Sequence, residues 1–239
     1  MSIQMISARR LAPALAALGF LAGSSGVMAA ALSEGFEAAV PVGWTVKNLS
    51  TPVGVTSWFQ GISGVFIAQA GSAASYAAAN FNNTAGTGTI SDWLIAPTLT
   101  FNNGDKISFY TRTVDFADLA DRLELRFSNV GGTDVGATAT SVGTFALLLS
   151  VNPTLVPTGY PTAWTQYTST IAGLSGPTSG AIALRYFVTS GGPLGANSNY
   201  IGVDTLTITA VPEPSTYLLM GLGLGLGLGA AALRRRQRV

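Results

Sequence analysis

Two runs near the middle of the chain alternate apolar and polar residues with a period of two. They are KISFYTRT (Lys106 to Thr113) and DRLELRFS (Asp121 to Ser128). In the second, Leu123, Leu125 and Phe127 share one side, and Arg122, Glu124, Arg126 and Ser128 share the other. A helix would scatter these residues around its axis. A strand packed on one face and solvated on the other keeps them apart, so the pattern predicts half-buried antiparallel sheet with the charged side chains facing water.

The rest of the central region fits the same architecture. Further strand candidates are GVFIAQA around Phe66, SYAAANF around Tyr76, GTFALLLSV around Leu147, WTQYTSTI from Trp164, AIALRYFVT around Leu184 and YIGVDTLTIT around Asp204. Clusters of Gly, Asn, Pro, Ser and Thr separate them, as in an all-β sandwich or jelly roll. Asn102-Asn103-Gly104-Asp105 reads as a hairpin turn, because Asn and Gly tolerate positive φ. Residues 148–159 read as an irregular excursion, and 114–120 as a loop or a single helical turn.

The two ends have a different character. Arg9 and Arg10 precede an apolar stretch from Leu11 to Leu21 and small residues around Ala29 to Ala31, the layout of a signal peptide spanning 1–31. At the other end, residues 215–233 carry no charge and are long enough, as a helix, to cross a bilayer. Gly221, Gly225 and Gly229 would share one face as overlapping GxxxG, a spacing that pairs helices but that any Gly-rich run also produces. Arg234, Arg235, Arg236 and Arg238 follow as a cytoplasmic membrane stop signal, which leaves residues 32–211 as one exported domain.

The order Pro212-Glu213-Pro214, apolar helix and terminal Arg cluster resembles the PEP-CTERM sorting signal of Gram-negative bacteria. That resemblance assigns 212–239 to sorting and cleavage by an exosortase, after export by the secretion translocon and a transient stay in the inner membrane. A permanent tail anchor is the alternative. Within the body, FEAAVPVGWTV, SWFQG, SYAAANF, SDWLIAPTLTF, DRLELRFS, WTQYTSTIAGL and YIGVDTLTI occur in an order that resembles the choice-of-anchor J domain. This group is similar to the cleaved-adhesin and MAM-like jelly rolls of bacterial surface proteins. Trp93-Leu94-Ile95 with Pro97, and the late Asp204, carry the likeness best. Where that family has paired acids in the last strand, this chain has Asp204 followed by Thr205.

Composition then removes whole classes of chemistry. With no Cys and no His, the chain has no disulfide, no thiolate nucleophile, no Cys/His zinc site and no triad with an imidazole base. Residues 32–211 hold six Lys and Arg against ten Asp and Glu, a net charge near −4, and no basic stripe to hold nucleic acid. Asp115, Asp118, Asp121 and Glu124 recur every three residues among Arg112, Arg122 and Arg126. They read as a solvated, self-paired loop, as a calcium site, or as catalytic acids. Trp44, Trp58, Trp93 and Trp164 read mainly as core, with Trp58 as the candidate for stacking on a ligand.

The period of two places Asp204 with Leu206 and Ile208, facing the core. There it is expected to share a structural Ca2+ with Glu37, or else to accept backbone N–H bonds without metal. The reading is a non-catalytic exported surface or matrix protein, adhesin-like or binding an extracellular polysaccharide. A carboxylate-based polysaccharide hydrolase or lyase is the alternative.

Overall fold

The alternating run Lys106–Thr113 is a strand over its whole length, and Leu123–Ser128 is another. The computed structural model describes residues 31–211. Within them lie β1 (Leu32–Glu34), β2 (Thr45–Asn48), β3 (Thr51–Val53), β4 (Phe59–Gln60), β5 (Ala77–Asn80), β6 (Thr84–Ile95), β7 (Leu99–Phe101), β8 (Lys106–Thr113), β9 (Leu123–Ser128), β10 (Ala146–Val151), β11 (Thr165–Thr170), β12 (Thr178–Gly191) and β13 (Tyr200–Thr209). One sheet runs β11-β8-β13-β5-β4, with β1 also on β13; the other runs β10-β9-β12-β6-β2, with β3 on β6 and β7 on β12. Strand pairing is antiparallel throughout the described residues. The expected all-β sandwich is therefore present.

Alternation fills the space between the sheets. Ile107 and Phe109 from β8 meet Leu123, Leu125 and Phe127 from β9, Ile182, Leu184 and Tyr186 from β12, and Ile201 and Val203 from β13 in one core. Each large apolar side chain taken out of water there is worth about 1.5–3 kcal/mol. Among the described residues no helix is long and apolar enough to cross a membrane. The segment read as a transmembrane helix (215–233), the Pro-Glu-Pro motif, the four terminal arginines and all but the last residue of the expected signal peptide lie outside the described residues.

The structure corrects four local expectations. GVFIAQA is not a strand: residues 61–76 form a loop that lies over the outer face of the six-stranded sheet and seats Phe66 against Tyr76 and Tyr200. Phe66 is buried by covering a sheet rather than by joining one, while Val65 and Ile67 stay exposed. Asn102–Asp105 does turn, with Gly104 at φ +95° and Asp105 N–H donating to the Asn102 carbonyl, but it is no hairpin. β7 pairs with β12 and β8 with β13 and β11, so this turn passes the chain from one sheet to the other.

The third correction concerns the charged side of β9. Glu124 and Arg126 do face away from the interior, yet they are buried, because residues 129–145 fold across that face and bring Val135 and Phe145 onto Trp93. The fourth concerns Asp204. β13 holds a bulge between Asp204 and Thr207, which breaks the period of two. Ile201, Val203, Leu206 and Ile208 all join the interior core, and Asp204 is left on the outer side under the 61–76 loop.

Candidate functional site

Asp204 is fully buried, and its carboxylate closes the loop onto the sheet. Oδ2 accepts the backbone N–H groups of Gln69 (2.8 Å) and Ala70 (3.1 Å), and Oδ1 accepts that of Thr205 (2.6 Å). The Thr205 hydroxyl bonds to Gln69 Oε1 at 2.6 Å. Thr205 sits at φ +49°, an outlier for a β-branched residue, and the bulge and its loop partners hold it there. Burial raises the Asp204 carboxyl above the ordinary carboxylate range, and the three backbone donors oppose that rise.

Glu37 reaches the same segment from the amino-terminal side. A Cβ placed on Gly71 would lie 3.7 Å from Glu37 Oε1, so the two carboxylates named from the sequence flank the three residues Gln69–Gly71. Asp204 uses three of the roughly four lone-pair positions of a carboxylate on N–H donors. Beside this segment lies an aromatic cluster of Phe66, Tyr76, Trp164 and Tyr200, with the Arg112 guanidinium 4.5 Å from the Phe66 ring centre. Gly202 has no side chain for a reason: a Cβ there would come within 2.9 Å of Phe66 and Tyr76.

The periodic acids do not assemble. Asp115 stays at the surface, paired with Arg112 at 2.6 Å, and Asp118 is exposed. Asp121 turns inward, where Oδ1 accepts the Tyr186 hydroxyl (2.5 Å) and the Asn199 N–H (2.8 Å), and Oδ2 the Thr113 hydroxyl (2.9 Å). Glu124 points the opposite way, and its Oε2 accepts from Arg126 (2.7 Å) and Arg185 (3.2 Å). Arg185 is 1% exposed and lies 4.7 Å above the Trp93 ring. Burial lowers its pKa to about 10 against the opposing pull of Glu124. Three-residue spacing across a loop and into a strand thus distributes four acids over the surface, the interior and the outer face.

Trp58, the expected stacking residue, is a core side chain. It is 5% exposed, and its indole N–H points at the Asp92 carbonyl at 3.3 Å. Its position between the two sheets leaves no ring face for a ligand.

Asp92 itself was not singled out from the sequence. It lies between the sheets, accepting from Ser57 (2.8 Å) and Asn83 (2.6 Å), and burial pushes its carboxyl well above the usual value. The signal was available, since in SDWLI the period of two puts Asp92 on the same side as Ile90 and Leu94.

Residues 210–237 match the family described as the PEP-CTERM protein-sorting motif. The chain carries a PEP-CTERM sorting signal. That motif begins one residue after β13 ends, so the sandwich and the sorting signal abut with almost no linker. The sandwich is similar to the K1 cleaved adhesin domain of Lys-gingipain (Kgp) from Porphyromonas gingivalis W83, with 23% identity and a TM-score of 0.53, covering 77% of this chain and 99% of that one. It is also similar to the K2 cleaved adhesin domain of Lys-gingipain, with 18% identity and a TM-score of 0.52, covering 75% of this chain and 99% of that one. At this identity the likeness establishes a shared fold. No curated protein matches the sequence.

Proposed function

We propose that the protein is a non-catalytic surface or matrix module of the choice-of-anchor J type, which binds an extracellular polysaccharide after export from a Gram-negative cell. Its amino-terminal signal peptide directs it to the translocon. An exosortase then removes the tail at or near Pro212-Glu213-Pro214. The observation that supports this reading is the position of the sorting motif, which starts where the last strand stops, so that in the proposed topology the whole sandwich lies on the exported side.

A binding role fits the carboxylates better than hydrolysis does. A glycosidase needs two carboxyl groups facing each other across a bond, roughly 5–9.5 Å apart. Here Asp92, Asp105, Asp121, Glu124 and Asp204 are buried and each is held by fixed donors within the fold.

Glu37 and Asp204 are proposed to share one calcium ion against the Gln69–Gly71 segment. Its chemistry suits oxygen donors and needs neither Cys nor His. Thermal melts of the protein in chelator and in millimolar calcium check this, because an ion that binds only the folded state raises the midpoint with concentration. Identical melts would remove calcium from the account.

The function is tested by mass spectrometry of the mature protein together with a glycan array. Loss of the Gly/Leu segment and its arginines, retention of the full tail when Pro212, Glu213 and Pro214 are all changed to Ala, and saccharide binding by the mature protein are the expected results. An intact tail on the mature wild-type protein would overturn the sorting half. An array with no bound glycan would overturn the binding half.

A further inference from the structure

Two phenylalanines in this fold adopt the left-handed backbone that bulky residues avoid, Phe36 at φ +52° and Phe116 at φ +58°. Phe36 is fully buried in the interior core, and burial of its ring offsets the strain. Phe116 is 99% exposed. Its strain holds an aromatic ring out in solvent, where packing gains nothing. Backbone strain without a folding benefit points to a use outside the fold.

The surroundings of Phe116 form one wall of a groove of about 610 Å3, within the range of small-molecule clefts. Pro157, Thr158, Pro161 and Thr162 line it from the segment leading into β11, and the buried Tyr160 belongs to the same lining. This framework is fixed. The Thr113 N–H bonds to the Pro161 carbonyl at 2.8 Å, and the Tyr160 hydroxyl bonds to Thr111 at 2.6 Å. Beside the ring, Asp115 is oriented by Arg112 through Oδ1, which leaves Oδ2 as an acceptor.

Placement adds an independent argument. β8 starts beside the turn at Asp105, which accepts the Val211 N–H at 3.1 Å and so fixes where the chain leaves the sandwich for the sorting motif. The same strand ends at Thr113, next to Phe116. Its length, roughly 24 Å at about 3.4 Å per residue, separates the two poles. The groove therefore opens at the pole opposite the point where the chain leaves the sandwich at Val211, where a tethered or matrix-embedded protein would meet its surroundings.

From these observations we infer that Phe116 and Asp115 form a saccharide subsite at this pole, with a neutral sugar stacking its C–H face on the Phe116 ring while its hydroxyls bond to Asp115, Thr158 and Thr162. An apolar face with a hydroxyl rim matches a platform that combines one exposed ring with neutral and anionic acceptors. The single charge lining the groove is the Asp115 carboxylate, which disfavours uronic acids. The subsite rests on the polysaccharide-binding reading above.

The test uses the purified full chain on an array of neutral and uronic-acid oligosaccharides, with Phe116→Ala, Phe116→Trp, Phe116→Gly and Val42→Ala, the last being an exposed residue outside the groove. Expected are binding to neutral glycans, a loss of about tenfold or more in Phe116→Ala and Phe116→Gly, retention in Phe116→Trp, and wild-type behaviour in Val42→Ala. Phe116→Gly is also expected to melt at or above the wild type, because Gly relieves the left-handed strain. Neutral-glycan binding unchanged by Phe116→Ala would overturn the subsite and leave the polysaccharide-binding function standing. No binding by the wild type would overturn both. A destabilised Phe116→Gly, equal loss in Val42→Ala, or preference for uronic acids would overturn the subsite alone.

Discussion

The outer faces of the two sheets are both covered by a long loop, and the two covers rest on opposite chemistry. Over the seven-stranded sheet, residues 129–145 enclose a charged cluster in which Arg126 and Arg185 share Glu124, and Arg185 also bonds to the Ala139 carbonyl. Over the six-stranded sheet, residues 61–76 enclose aromatic rings, and one unpaired carboxylate, Asp204, pins the loop through its backbone. The first cover leaves charges that can be neither hydrated nor unpaired without large loss. The second leaves a buried carboxylate held by neutral backbone donors, with Glu37 reaching the other end of the same Gln69–Gly71 segment. The difference lies in what each cover neutralises: paired opposite charges under the first, and a carboxylate held by backbone N–H groups under the second.

The sharpest way to break that contrast is to remove the shared acid. Glu124→Ala leaves two cations in a dry site and is expected to lower stability by about 3–5 kcal/mol, measured by urea unfolding. A loss below about 1 kcal/mol would mean that water reaches the cluster and that the two covers are alike.

Asp204→Ala removes one acceptor from three backbone N–H groups and is expected to cost about 2–3 kcal/mol. Hydrogen exchange at Gln69 and Ala70 should accelerate more than exchange in β9, which would confirm that the loss is local to the second cover. Uniform acceleration would show that the 61–76 loop and the sandwich unfold as one unit.

A smaller effect, read as a pH dependence, concerns the interior carboxylates. Burial raises the carboxyls of Asp92 and Asp121 above the ordinary aspartate value of 3.8, so the folded chain holds these protons more tightly than the unfolded chain does. Their contribution to stability is complete below that value and is lost as pH rises through each folded value. Asp92→Asn keeps a partner for Ser57 and for Asn83. It should flatten the fall in stability as pH rises above about 4, followed by denaturant titration at each pH. An unchanged slope would place the pH dependence elsewhere.

The smallest change is expected at the exposed pair outside both covers. Asp115→Ala should alter stability by less than about 1 kcal/mol, since Asp115 is 72% exposed and its bond to Arg112 is screened. A larger loss would make the 114–120 loop part of the core structure.

How much of this was legible in the chain varies by element. KISFYTRT and DRLELRFS are strands where the alternation places them, because side-chain period and strand geometry are the same fact. GVFIAQA is a loop and not a strand, since a short apolar run also suits a loop that seats one aromatic ring, Phe66, on a sheet. Of the candidate site, the meeting of the two terminal segments was legible, as β1 does pair with β13. Gln69 and Ala70, which hold Asp204, were beyond reach: backbone N–H groups carry no residue signature. Phe116 was equally hidden, because strain at a single φ leaves no mark in composition or spacing.

The sequence by itself determined the sandwich, the inward residues of its alternating strands and the sorting signal, because period-two alternation, an uncharged span and a basic terminus are each written in local order. Only the tertiary structure decided which outward residues are buried. Glu124 and Arg126 become a dry ion cluster through a loop that starts at residue 129, and Asp204 changes sides through one extra residue in β13. Burial depends on what covers a face, and the covering segment is joined to that face by contact rather than by adjacency in the chain.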